Sequence, residues 1–351
     1  MEVRAWVSEL GYAQCLSAEG QLSVLGHSKY EEVIEANPTP SDLQEKKFLG
    51  VCSGFSSHYC LDLEGDVWSH GYNDYHQLGR EENNGSIAAV ANISKIELLC
   101  CGSFHVLCKD VEGSLWGFGR NNYGQLGVAA TGKSLPQQIS GVPANITQIA
   151  CGSEHSMILD TNGTVYATGG NWTGQLGMGH KENLDTFTEL PALDSIVSIS
   201  CASYHSLFLN SRGEVYSVGN NGSGELGLGD FEARLTPQRV DGLPTIRTIA
   251  TKLYASLCID NEGKLWGFGC NGRQELGFPD SVAHPTPAII PTLQHVNICS
   301  VSQGGKYSIL TDDNDDVWIL GDKKPNTWKM KKRRGMIGKP FNKNAKSARN
   351  R

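Results

Sequence analysis

Residues 151–177 read Cys151-Gly-Ser-Glu-His155-Ser-Met-Ile-Leu-Asp160-Thr-Asn-Gly163-Thr-Val-Tyr166-Ala-Thr-Gly169-Gly-Asn171-Trp-Thr-Gly174-Gln-Leu-Gly177. Ile149, Met157 and Leu159 fall in an alternating, β-prone run. Asp160-Thr-Asn-Gly163 follows, with Asp opening a tight turn and Gly supplying the left-handed residue that closes it. Val165-Tyr166 starts a return strand, and Asn171 to Gly177 is a glycine-rich loop. One such hairpin cannot hide its apolar face from water by itself.

The hairpin recurs. Cys101-Gly-Ser-Phe-His105 and Cys201-Ala-Ser-Tyr-His205 flank the quoted copy at intervals of 50. A turn column runs Gly20, Gly65, Gly113, Gly163, Gly213, Gly263 and then Asp315. A second column has no exception: Gly26, Gly71, Gly119, Gly169, Gly219, Gly269, Gly321. Between them lies an aromatic column, Trp68, Trp116, Tyr166, Tyr216, Trp266 and Trp318, broken only by Ser23. The Asn-x-x-Gly loop recurs at 121–127 and 221–227, and in weaker form at 73–79 and 271–277. Pro136, Pro191, Pro237 and Pro287 lie in the links between copies, where an edge strand or a connection tolerates them. Glycine, at 41 of 351 residues, is well above the usual ~7%, as many tight turns require. Seven copies of about fifty residues must stack to bury a common core, and four-stranded units of that length close radially. The reading is an all-β, seven-bladed β-propeller over residues 1–321, with a basic, disordered tail at 322–351. The first copy lacks most of the segment before its hairpin and the last ends at Gly321, so Glu2–Ser8 is expected to complete the last blade.

The pattern Cys-Gly-x-x-His-Ser-x-x-Leu, Asp-x-x-Gly-x-Val-Tyr-x-x-Gly, Asn-x-x-Gly-Gln-Leu-Gly resembles the regulator of chromosome condensation repeat. The resemblance covers residues 1 to about 321 and implies a seven-bladed β-propeller. Such propellers serve as exchange factors, ubiquitin ligases, kinases, ciliary proteins and photoreceptors, so fold and function part company here. The founding member of the family implies guanine nucleotide exchange on a Ran-type small GTPase. That activity needs no nucleophile, only tighter binding to the nucleotide-free GTPase. Founding-type exchangers carry an extra wedge hairpin in one blade, and the even intervals after Gly65 leave little room for one. The first expectation is therefore a protein-interaction propeller that presents a loop face to a protein partner, with exchange as the alternative.

Scaffold positions recur and partner-facing positions vary. The variable slots of the Asn-x-x-Gly loops hold Tyr75, Tyr123, Trp172 and Arg273, types enriched at interfaces, and these are the candidate partner-binding residues. Their alternative is packing on the neighbouring loop. Net charge is -7, but it divides into +11 for 322–351 and -18 for the rest. The acidic body repels nucleic acid, and the tail attracts it. Lys331, Lys332, Arg333 and Arg334 are the candidates for a nuclear-import signal or a nucleic-acid or chromatin arm.

No catalytic residue, cofactor or metal is expected. There is no Gly-x-Ser-x-Gly elbow and no phosphate loop. His105, His155 and His205 recur, but their slot holds Tyr12, Ser57, Ala255 and Tyr307 elsewhere, which reads as one strand residue per blade making a hydrogen bond. The chain has 11 cysteines. Cys15, Cys60, Cys108 and Cys258 share a slot with Ile158, Phe208 and Leu310, so they read as small apolar core residues. Cys101, Cys151 and Cys201 share another slot and are taken as structural too. Cys100 and Cys101 should point to opposite faces of a strand without a bond between them. No apolar run spans a bilayer and Met1 to Leu10 is not a secretory signal, so the expected location is cytoplasmic or nuclear, not secreted.

Overall fold

The computed structural model describes residues 46–321 except 83–85, 192 and 304–306, and in addition the backbone of five strands at 4–7, 13–16, 22–26, 35–37 and 327–329. The chain folds as an all-β propeller. The described strands form seven four-stranded antiparallel sheets, each with its strands in sequence order. Sheets 2 to 7 occupy residues 48–89, 96–139, 146–189, 196–239, 246–289 and 298–329, and sheet 1 occupies 4–37. The first strands of successive sheets lie against one another, so they converge on the axis and the fourth strands form the rim. The first strand of sheet 1, Arg4–Val7, touches the first strands of both sheet 2 and sheet 7.

Sheet 4 shows how sequence becomes blade. Ile146–Cys151, His155–Asp160, Val165–Gly169 and Leu184–Glu189 are its strands. Every residue of the second strand is buried, because neighbouring blades cover both of its faces. The fourth strand is largely exposed, as a rim strand must be. The Asp160 carboxylate accepts the N–H groups of Asn162 and Thr164 and fixes the turn, while Gly163 takes φ +81°. Asp315, the exception in that glycine column, adopts φ 57°, so the position demands the left-handed region whatever residue fills it.

The core lies between blades. Met157, Leu159 and Leu176 of sheet 4 pack with Ile199, Phe208 and Val218 of sheet 5. Each such side chain contributes roughly 1.5–3 kcal/mol when fully buried, so a blade without its neighbour forfeits most of its stability. The aromatic column packs at these seams, Trp116 against the cluster shared by sheets 2 and 3. Its indole also donates to Asp110 Oδ2 at 2.9 Å, and Trp68, Trp266 and Trp318 repeat that bond to Asp62, Asp260 and Asp312. Pro136 and Pro237 sit within fourth strands, and the pairing of sheet 3 shifts register beside Pro136. The missing N–H of proline is harmless on a rim.

Two expectations are corrected. Arg4–Val7 does not complete the last blade; it pairs with Ala13–Leu16 as the first strand of sheet 1. The last blade takes its fourth strand from Thr327–Lys329, paired to Leu320, Ile319 and Trp318. The boundary at Gly321 therefore cuts through sheet 7, and the propeller reaches Lys329. Closure comes from packing of sheet 1 between its neighbours, and among the described strands none is shared across the junction.

Cys60, Cys108 and Cys258 are fully buried among apolar side chains, as the repeat columns implied. Burial pushes the Cys60 thiol up to about 12. Cys101, Cys151 and Cys201 differ: they are half-buried at the ends of first strands, near the axis. No helix among the described residues is long and apolar enough to cross a membrane.

Candidate protein-binding face

In an up-and-down sheet, the connection between strands one and two and the connection between strands three and four share one end. Residues 152–154 and 170–183 of sheet 4 are such a pair. All Asn-x-x-Gly loops therefore gather on one face, and the Asp-x-x-Gly turns lie on the other.

The recurrent residues hold that face rigid. Asn171 Oδ1 accepts the Leu176 N–H at 3.0 Å, and its Nδ2 donates to the carbonyls of His180 and Glu182 at 2.9 and 3.0 Å. Asn73, Asn121, Asn221 and Asn271 do the same for their loops. Gln77, Gln125 and Gln175 each accept the backbone N–H of a variable-slot residue, Tyr75, Tyr123 and Thr173.

Below the face, the histidine column ties blade to blade. His105 Nε2 lies 2.8 Å from Ser156 Oγ, His155 Nε2 3.0 Å from Ser206 Oγ, and His205 Nε2 3.0 Å from Ser256 Oγ. Each serine hydroxyl donates in turn to a carbonyl, that of Gln125, Gln175 or Glu225. The serine proton is thus committed, so the histidine must carry its proton on Nε2 and donate. Nδ1 of all three is buried with no donor to meet it. Burial holds the three imidazoles down at about 3, so they stay neutral. The glycine of the Cys-Gly-x-x-His motif follows: a Cβ on Gly152 would lie 2.2 Å from His155 Cε1 and 2.3 Å from the Ala202 carbonyl of the next blade. The expected hydrogen-bonding role of the column is what the structure contains. Among the described residues no group of three or more His, Cys, Asp or Glu side chains could hold a metal.

Three of the four variable-slot candidates meet. The Tyr123 and Trp172 rings stand edge to face at 4.5 Å, and the Arg120 guanidinium lies 5.1 Å from the Tyr75 ring and 5.5 Å from the Tyr123 ring. Tyr75 also packs on Phe104, which touches Phe55 and Tyr72. Each thus packs on a neighbour, yet Trp172, Phe55 and Tyr72 remain 40–41% exposed. Arg273 stands apart; its N–H donates to Glu275 and its side chain is exposed. Lys331, Lys332, Arg333 and Arg334 lie outside the described residues.

The hub was missed in the sequence. Arg120 Nη1 donates to Glu154 Oε1 at 2.6 Å, and Gln125 Nε2 donates to Glu154 Oε2 at 2.6 Å. Burial pushes the Glu154 carboxyl up to about 7, against the pull of Arg120 and Gln125. Phe104 and Glu154 immediately precede the column histidines, and Tyr72 and Arg120 immediately follow the second glycine column. Those two variable columns are the signal that would have found them.

Residues 15–338 match the RCC1-like domain. The chain belongs to the RCC1-like domain family. No curated protein matches it in sequence. Among solved structures, this RCC1-like chain is similar to yeast RCC1 (Prp20) in complex with Kap60, with TM-score 0.77, 20% identity, and coverage of 89% of this chain and 81% of that one. Human WBSCR16 gives TM-score 0.77 at 21% identity, covering 89% and 88%. Prp20p from Saccharomyces cerevisiae gives 0.75 at 21%, covering 89% and 84%. Identities this low show a shared fold.

Proposed function

We propose that this RCC1-like chain is a regulatory propeller of seven blades, counting the N-terminal sheet, that binds a protein partner on its loop face. The arc of Phe55, Tyr72, Phe104, Tyr75, Arg120, Tyr123 and Trp172 supports this reading. Tyr, Trp and Arg are the types that dominate binding energy at interfaces. Here their loops are already fixed by Asn and Gln bonds, so docking orders few new groups. The test is quantitative capture of a partner by the full chain and by Trp172→Ala and Tyr123→Ala. A loss of tenfold or more in affinity is expected, with the thermal midpoint lowered by no more than a few degrees. Unchanged capture by both variants refutes this face.

Guanine nucleotide exchange on a Ran-type GTPase is the second reading. It is favoured by the likeness to Prp20p, whose binding to Gsp1p and histones accompanied its structure. Release of labelled nucleotide from a Ran-type GTPase at micromolar propeller separates exchange from binding alone. The basic run Lys331, Lys332, Arg333 and Arg334 serves nuclear import or a chromatin contact in this reading. Alanine at all four positions should abolish DNA or nucleosome binding, and unchanged binding would end that assignment.

A further inference from the structure

The half-buried cysteines near the axis fall into cross-blade pairs. Two positions at the end of each first strand matter. Position one faces the second-strand residue Tyr59, Leu107 or Leu207 and is filled by Cys52, Cys100 or Ser200. Position two faces Val106, Ser156 or Ser256 and is filled by Cys101, Cys151 or Thr251. In sheets 5 and 6 the geometry of the pair is explicit: Ser200 Oγ of one blade lies 2.9 Å from Thr251 Oγ1 of the next. The same step around the ring brings Cys52 to Cys101 and Cys100 to Cys151. Each pair also acts on its own ionisation: burial and then the Cys52 thiol raise Cys101, and the Cys151 thiol lowers Cys100. Cys201 has Ala150 in the facing position and so has no thiol opposite. All four paired cysteines are free and half-buried.

We propose that Cys52/Cys101 and Cys100/Cys151 are peroxide-sensitive dithiols that oxidise to two cross-blade disulfides, stapling the inner strands of sheets 2, 3 and 4. The Cys151 thiol holds the Cys100 thiol below its usual range, while burial pushes Cys151 up, so Cys100 is the sulfur attacked first. The Cys100 thiolate attacks a hydroperoxide oxygen. The O–O bond breaks, an S–O bond forms, and the leaving alkoxide or hydroxide takes up a proton. Cys151 then loses its proton and attacks the Cys100 sulfur; the S–O bond breaks and water leaves. Two electrons pass from two thiols to one hydroperoxide. Cys52 and Cys101 react by the same balance. A staple joins segments about fifty residues apart, the span at which a cross-link restrains the unfolded chain strongly. Thiol reductants reverse it.

The full chain is treated with hydrogen peroxide under native conditions, free thiols are blocked with an alkylating agent, and non-reduced peptides are read by mass spectrometry. Cross-linked peptides joining Cys52 to Cys101 and Cys100 to Cys151 are expected, each two hydrogens lighter, with Cys201 still alkylated. The thermal midpoint rises by several degrees and returns on reduction. Cys151→Ser places a hydroxyl where Thr251 already has one, and should lose the second cross-link while keeping the first. Full alkylation of all four thiols after peroxide, or cross-links among other cysteines, overturns the proposal.

Discussion

Acid should loosen this propeller well before Asp62 and Asp110 protonate. His105, His155 and His205 are buried, held at about 3, and donate to a neighbouring blade as neutral imidazoles. In the unfolded chain each titrates near 6.5, so between these values the unfolded state binds protons that the native state refuses. Their stabilisation is complete above about pH 6.5 and drains away as pH falls toward about 3. His58, lowered to about 4, acts in the same sense, as do His70 and His76. Glu154, raised to about 7, and Glu225, also raised, oppose them, because the native state holds their protons more tightly. Asp62 and Asp110 are lowered and lose their contribution only below the ordinary carboxylate range, outside this window. From pH 7.5 to 5.5 the three column histidines cost about 4 kcal/mol, His58 about 1 more, and Glu154 returns about 2, so these five groups together lose about 3 kcal/mol. That is a large share of the ~5–15 kcal/mol holding a native protein together. Urea unfolding followed by tryptophan fluorescence at stepped pH reads the midpoint directly. His155→Gln keeps a donor for Ser206 but cannot titrate, and should remove about one third of the histidine contribution to the slope. A midpoint flat from pH 7.5 to 5.5, or a slope unchanged in His155→Gln, refutes the account.

The remaining expectations concern the same seams and face. Ser206→Ala strands both the His155 Nε2–H and the Gln175 carbonyl, and should cost about 2–4 kcal/mol in urea unfolding, against under about 0.5 for Ser211→Ala in an exposed turn. Gly152→Ala forces a methyl against His155 and the Ala202 carbonyl and should cost about 1–3 kcal/mol or more, read as a lower thermal midpoint. Trp172→Ala should lower the midpoint by no more than a few degrees, since the residue is 40% exposed and loses chiefly its contact with Tyr123, while weakening partner capture at least tenfold.

Legibility in the sequence followed repetition. The glycine, histidine and aromatic columns recur because each meets a fixed obligation of the blade, a left-handed turn, a donor to the next blade, an indole bond to a turn aspartate. Those obligations can be read from spacing. The Arg120–Glu154 pair is private to one seam, between residues 34 apart, and is not repeated elsewhere among the described residues. Periodicity is blind to such a contact, although it marks the columns where the contact arises. The thiol pairs escaped for a related reason: Cys100 and Cys151 occupy different columns, so their meeting depends on a one-position offset between neighbouring blades that only the packed ring displays. Ring closure was misread because the last strand is three residues long and lies in a lysine-rich stretch with no apolar alternation to announce it.

That last strand decides how the basic tail must be studied. Thr327–Lys329 covers the third strand of sheet 7, Val317–Gly321, whose outer edge would otherwise present a row of unpaired backbone groups. Removing everything after Gly321 would delete the tail and expose that edge together. Loss of binding, or a gain of aggregation, would then report the opened blade as much as the missing charge. Truncation after Lys329 keeps all three pairings and removes nine of the twelve basic residues between 322 and 351. A partner captured by the chain ending at 329, but lost when Trp172 is replaced, belongs to the loop face; one lost with the tail alone belongs to Lys331–Arg334 and its neighbours. Additive losses when both changes are combined are the outcome expected of two separate contacts.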